Sequence, residues 1–188
     1  MGIKDKKRIA IYIDGSNFYF KLKSLGLKNL INFNFRGFVD WLVRDRMTIS
    51  RRYYVGAIRA KENDKRGQEL RQDQQRLFSH LTLPSQDFII ERGYLMESNG
   101  KYHEKGVDVK LAVDLLVGAY DDLYDVAVII SSDTDLIPAI QKVRYLKKEV
   151  EYIGFAHQPS LALQRYANLS RLIIKEELDQ FIAKTLFE

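Results

Sequence analysis

"VIISSDTDLIPAI", running from Val128 to Ile140, decides the fold. An apolar run stops at Ser131 and Ser132, Asp133 and Asp135 follow two positions apart, and the chain then turns apolar again. The unbroken apolar run reads as a strand covered on both faces, and the acids mark where it leaves the core. Pro138 falls near the start of the helical pattern that follows, where a missing N–H costs least. Strand, acidic turn and helix in that order are a unit of a parallel α/β sheet.

The same alternation extends in both directions. Strands are predicted at 8–14, 51–58, 87–95, 125–131 and 149–155, with a sixth at 171–175. Helical patterns lie between them: "FYFKLKSLGL", "RGFVDWLVRD", the long polar "DKRGQELRQDQQRLFSHLTL" closed by Pro84, "VDVKLAVDLLVGAYDDL", "DLIPAIQKVRYLKK", and a tail "KEELDQFIAKTLF". The stretch 97–106, "ESNGKYHEKG", reads as a surface loop. No repeat or linker divides the chain. The expectation is one domain over 1–188, an α/β three-layer sandwich with a central parallel sheet and helices on both faces. Its core is expected over about 8–155, with a C-terminal strand and helix at 171–188 packed on it.

Composition narrows the chemistry. The 188 residues are 46% hydrophobic, enough for a single core without staples. There is no cysteine, which excludes disulfides, thiolate metal sites and cysteine nucleophiles. No apolar run approaches the ~20 residues of a membrane span. The N-terminal run from Ile9 to Ile13 is too short for a secretory signal core and ends in an aspartate. These features predict a cytoplasmic protein without a membrane partner. The net charge of +5, from 30 Lys+Arg against 25 Asp+Glu, is compatible with an anionic partner.

In an open α/β sheet, functional side chains gather at the C-terminal ends of strands. The first strand ends in "YIDGSN", giving Asp14 and Asn17; the fourth ends in "ISSDTD", giving Asp133 and Asp135. Asp108 opens the helix leading into the fourth strand. If the first and fourth strands are neighbours, these acids meet at one rim. Two unit charges ~4 Å apart repel by ~4 kcal/mol at an effective dielectric of 20, so something must neutralise them. Protonation, a lysine or arginine, or a hard divalent cation would serve, and oxygen-only ligands suit Mg²⁺ or Mn²⁺. Capping explains each acid singly: Asn17 as an N-cap, Ser132 or Asp133 as an N-cap, Asp135 and Asp108 as first-turn acids. Capping does not predict that all of them share one end of one sheet. Asp114 lies ~120° around the helix from Asp108 and ranks below the others. Asp121, Asp122 and Asp125 read as turn residues at the opposite end of the fourth strand.

Three blocks, "IYIDGSNFY", "KGVDVKLAVDLL" and "DVAVIISSDTDLIPAIQKVRYLKKEVEYIGF", in this order resemble the NYN domain, in particular its LabA-like (DUF88) branch within the PIN-like nuclease superfamily. The resemblance spans roughly residues 8–155. It implies strand order 3-2-1-4-5, which makes the first and fourth strands neighbours. It also implies a Mg²⁺- or Mn²⁺-dependent ribonuclease. Asp14, Asn17, Asp108 and Asp133 correspond to catalytic positions, Asp14, Asp108, Asp133 and Asp135 to metal ligands, and Asp114 to a further aspartate of the pattern. Ser132 stands where the family usually has glycine, and Leu136 where it has phenylalanine.

A ribonuclease must also hold phosphates. Lys105 beside Asp108, and Arg66, Arg71 and Arg76 on the long polar helix, are candidates for contacting RNA, expected to be single-stranded. Phe18, Tyr19 and Tyr94 could stack a base, although core filling is the favoured reading for each. Two rival functions stand beside the nuclease. One is an RNA- or protein-binding regulatory module on the same fold with weak or lost catalysis, for which Ser132 argues. The other is a phosphatase, although Asp133-Thr134-Asp135 lacks the context of a phosphoaspartate enzyme. A homo-oligomer is compatible with all three.

Overall fold

Strand β1 (Arg8–Asp14) is buried on both faces and sits at the centre of the sheet. Its residues alternate between two cores, with Ile9, Ile11 and Ile13 on one side and Ala10 and Tyr12 on the other. The computed structural model describes residues 6–27, 30–58, 63–98 and 101–182, with backbone alone for 94–98 and 101–105.

After β1 come α1 (Gly15–Ser24), α2 (Phe35–Val43), β2 (Met47–Gly56), α3 (Lys65–Leu81), β3 (Ile89–Ser98) and β4 (Lys101–Lys105). The second half holds α4 (Val107–Tyr120), β5 (Val126–Ile130), α5 (Ile137–Tyr145), β6 (Glu149–Phe155), α6 (Leu161–Tyr166), β7 (Leu169–Ile173) and α7 (Lys175–Leu178). Among the described residues the sheet runs β4-β3-β2-β1-β5-β6-β7. All neighbours are parallel except β3 and β4. Without the β4 insertion the order of the first five predicted strands is the expected 3-2-1-4-5, and the predicted sixth adds at the edge.

Aromatic packing fills one face. Phe18 lies with ring centroids 5.6–5.8 Å from Phe33, Phe35, Phe38 and Phe155. Each such pair contributes about 0.5–1.5 kcal/mol beyond its buried area. This knot draws α1, α2 and the C-terminal residues Leu178 and Phe181 onto the sheet. On the other face α4, α5 and α6 cover Ala10, Tyr12, Tyr54, Ala127 and Ile129.

The N-terminal ends of β1 and β5 are tied in register. Asp125 accepts the Arg8 backbone N–H at 2.8 Å and the Arg8 guanidinium at 2.8 Å. The Arg8 side chain, then its amide, hold the Asp125 carboxyl down at about 2. Arg8 also pairs with Asp122, so these acids serve the turn, as read. Ile13 consequently lies opposite Ile130, and the next residues, Asp14 and Ser131, stand side by side at the rim.

Two expectations need correction, and one helix was not expected. The described part of 97–106 is strand rather than loop: β3 continues to Ser98 and pairs antiparallel with β4, Tyr94 opposite Lys105 and Ser98 opposite Lys101, while Asn99 and Gly100 lie outside the described residues. The Asn99-Gly100 dipeptide between the two strands is a favoured hairpin sequence and was the signal to read. The C-terminal tail is not one long helix through its described part. After α7 a 3-10 turn covers Asp179–Phe181, and Ile182 bridges Phe33. Burying Phe181 against Phe33, Phe38 and Trp41 overrides the helical pattern. Helix α6 went unpredicted, although Ser160 caps it through the Leu163 N–H.

Gly15 closes β1 onto α1 in a space without room for a side chain. A Cβ there would stand 2.3 Å from Tyr53 Cε1 and 2.8 Å from the Tyr54 carbonyl oxygen. Gly15→Ala is therefore expected to destabilise the fold by about 1–3 kcal/mol, read as a lower urea midpoint. A wild-type midpoint would contradict this packing.

Candidate functional site

The C-terminal rim of the two central strands gathers acids from three separate stretches. Asp14 ends β1, Asp133 and Asp135 follow β5, and Asp108 stands in the first turn of α4.

Asp14 is buried, with 5% of its surface exposed. It is the N-cap of α1: its Oδ1 accepts the Asn17 backbone N–H at 3.0 Å. Its Oδ2 accepts the Ser131 hydroxyl at 2.9 Å. Ser131 Oγ in turn accepts the Asp133 N–H at 3.1 Å, and Asp133 Oδ1 accepts the Asp135 N–H at 2.9 Å. One hydrogen-bonded chain thus links Asp14, Ser131, Asp133 and Asp135 across two strands. Asp133 caps the 3-10 turn Thr134–Leu136, after which α5 begins with Pro138 in its first turn. Asn17, expected as an N-cap, is instead the residue whose amide is capped.

Charge at the rim is mutual. Burial pushes the Asp14 carboxyl up; the Asn17 amide and Ser131 hydroxyl offset part of this, and the charges of Asp108 and Asp133 add to the rise. Burial also raises Asp108, followed by the charges of Asp133 and Asp135. These couplings place the four acids in one electrostatic neighbourhood. Two polar atoms there are buried without a hydrogen-bond partner, Asn17 Oδ1 and Ser132 Oγ. Each costs free energy unless a ligand or water reaches it.

The donor set suits a hard divalent cation: several carboxylates and an amide oxygen, with a buried oxygen lacking a partner beside them. As the side chains stand, no group of three or more His, Asp or Glu among the described residues is drawn together tightly enough to hold a metal. The acids therefore share a rim without forming a closed chelate.

Asp114 has other partners. Its carboxylate accepts from the Tyr54 hydroxyl at 3.0 Å, Arg52 at 3.4 Å and Lys110 at 3.3 Å. Glu91 completes this cluster through Arg52 and Lys110. Arg51 is likewise engaged, with Asp87 at 2.9 Å. On α3, Arg66, Arg71 and Arg76 are exposed, and Arg76 lies 3.3 Å from Asp73. Gln74 pins this helix to the end of β2 through the Gly56 carbonyl and the Ile58 N–H. The side chains of Lys105 and Tyr94 lie outside the described ones.

Sequence reasoning missed Ser131 as the connector of the two strand ends. Its signal was the position directly after the last apolar residue of β5, one register step from Asp14. It also missed Phe20, which is 64% exposed, while Tyr19 is 40% exposed and Phe18 is core.

Among solved structures, the chain is similar to a protein of unknown function from Vibrio parahaemolyticus RIMD 2210633. The identity is 21% and the TM-score 0.68, over 94% of this chain and 98% of that one. At that identity the likeness speaks for the fold. No curated protein matches. No helix among the described residues is long and apolar enough to cross a membrane. The family model for the NYN domain matches residues 8–174, which includes every acid of the rim, and the chain therefore belongs to the NYN domain family, with its PIN-like nuclease fold.

Proposed function

We propose that the protein is a metal-dependent endoribonuclease that hydrolyses single-stranded RNA at the rim formed by Asp14, Asp108, Asp133 and Asp135. The observation that carries this reading is the electrostatic convergence of acids from β1, α4 and the β5–α5 turn. Asp14, Asp108, Asp133 and Asp135 would hold Mg²⁺ or Mn²⁺, with Asn17 beside them. Such a cation neutralises the acids and stabilises the charge that develops on a phosphodiester during hydrolysis. Ser131 fixes the Asp14 carboxylate by donating to Oδ2, and the Asn17 amide fixes Oδ1. Asn17 Oδ1, buried without a partner, would accept from and orient a water. Arg66, Arg71 and Arg76, with Lys105, would contact RNA phosphates. Asp114, already engaged by Tyr54, Arg52 and Lys110, supports α4 rather than the cation.

A second reading keeps the fold as a binding module with weak or lost catalysis. Two observations favour it: the acids do not form a closed chelate among the described residues, and Ser132 replaces the family glycine. Metal titration separates the two. For the nuclease, saturating Mn²⁺ at about 100 times Kd adds about 2.7 kcal/mol to unfolding stability and cleaves a labelled single-stranded RNA. Asp14→Asn and Asp133→Asn remain folded, lose that stabilisation and lose about 100-fold or more in cleavage rate. RNA bound without turnover at any Mn²⁺ concentration selects the binding module. Cleavage by both variants at the wild-type rate would falsify the site.

The charge at Asp14 has a cost in the metal-free protein. Its folded pKa lies above the unfolded value of about 3.9, so the folded state binds more protons between the two. Stability from this group is therefore lost as pH rises through that window, and the full loss persists at neutral pH. In EDTA, Asp14→Asn should match the wild type most closely below about pH 4 and gain on it as pH rises. The measurement is paired urea unfolding across pH; an advantage that shrinks with rising pH would contradict the assignment.

A further inference from the structure

Helix α1 leaves two large rings outside the fold. Its inward face is filled by Phe18 and Leu22, yet Tyr19 is 40% and Phe20 64% exposed. The two rings meet edge to face, with centroids 5.6 Å apart. Ser16 lies one turn before them and exposed Lys23 one turn after, so aromatic and basic groups share one helix face. The helix carrying both rings starts at the rim itself, since Asp14 is its N-cap. Tyr53 donates to the Gly15 carbonyl at 3.2 Å, at the first residue of α1.

Distance along the helix sets what this face can reach. Phe20 is six residues beyond Asp14, about 9 Å at 1.5 Å per residue. That equals two to three stacked nucleotide steps of about 3.4 Å. We propose that Tyr19 and Phe20 are a stacking platform for an unpaired base of single-stranded RNA, two to three nucleotides from the phosphate at the acidic rim, with Lys23 against the backbone. The choice of RNA as the ligand rests on the nuclease reading above. Ring-on-base stacking accepts any base because every base has a π face. A duplex hides those faces, so the platform discriminates by strandedness rather than sequence.

The probe is a single-stranded RNA carrying one 2-aminopurine, titrated in EDTA so that binding is read without cleavage. A duplex of the same sequence is the control. Phe20→Ala and Tyr19→Ala are each expected to weaken single-strand binding about 5- to 100-fold. Phe20→Trp should restore it and the 2-aminopurine quench, and duplex binding should stay unchanged. Phe20 is the safer position for folding because most of its surface is already in water. The platform is overturned by wild-type affinity in both alanine variants or by equal losses on the duplex. It is also overturned if the wild type does not bind the single strand, or if the variants change only the sedimentation of the protein. Absent Mn²⁺-dependent cleavage with the stacking pattern intact removes the nuclease reading alone. Normal cleavage with unaltered binding by both alanine variants removes the platform alone.

Discussion

Two parallel strands hydrogen-bonded side by side decide where the acids of this protein stand. β1 and β5 pair from Ile9 opposite Val126 to Ile13 opposite Ile130, and the Arg8–Asp125 contact holds that register from below. A slip of one residue would turn every side chain of β1 to the opposite face. Asp14 would then lose Ser131, and the chain of hydrogen bonds to Asp133 and Asp135 would break at its first link. The apolar interior on both faces thus fixes a polar arrangement at the rim without contributing an atom to it.

The rim itself departs from the charge pairing found elsewhere on the sheet. Below it, charged groups are paired: Arg8 with Asp125, Arg52 with Glu91, Lys110 with Asp114. At the rim, Asp14 is buried among hydrogen-bond donors, and the charges that add to the rise of its carboxyl are those of other acids, Asp108 and Asp133. A fold tolerates such repulsion where function requires it, commonly at a cost in stability. The contrast between Asp108 and Asp114, on one helix, is instructive. Asp114 is held by a tyrosine, an arginine and a lysine, whereas Asp108 is raised by burial and then by two further acids.

Much of this was legible in the sequence because it depends on local pattern. Unbroken apolar runs gave β1 and β5, and acids directly after those runs marked the rim. The strand order came from the resemblance to the NYN family and agrees with the sheet. The β3–β4 pairing was missed because its residues are polar and alternate weakly, although the sequence between the two strands is Asn-Gly. The tail was misread because helical spacing in "KEELDQF" is locally sound, while Phe181 and Ile182 are claimed by contacts with Phe33, far away in sequence. Ser131 could not be singled out without the register, since a serine after a strand is ordinary turn material. Capping and convergence also proved compatible: Asp14 and Asp133 each spend one oxygen on a backbone amide and remain part of the acidic rim.

On the reading proposed above, carboxylates from β1, α4 and the β5–α5 turn act as one cation-binding unit. The most direct measurement is anomalous X-ray scattering from a crystal soaked in Mn²⁺. The expected result is a peak at the rim, coordinated by oxygens of Asp14, Asp108 and Asp133. A soak that leaves the rim without a peak, or puts manganese only at other surface acids, would contradict it.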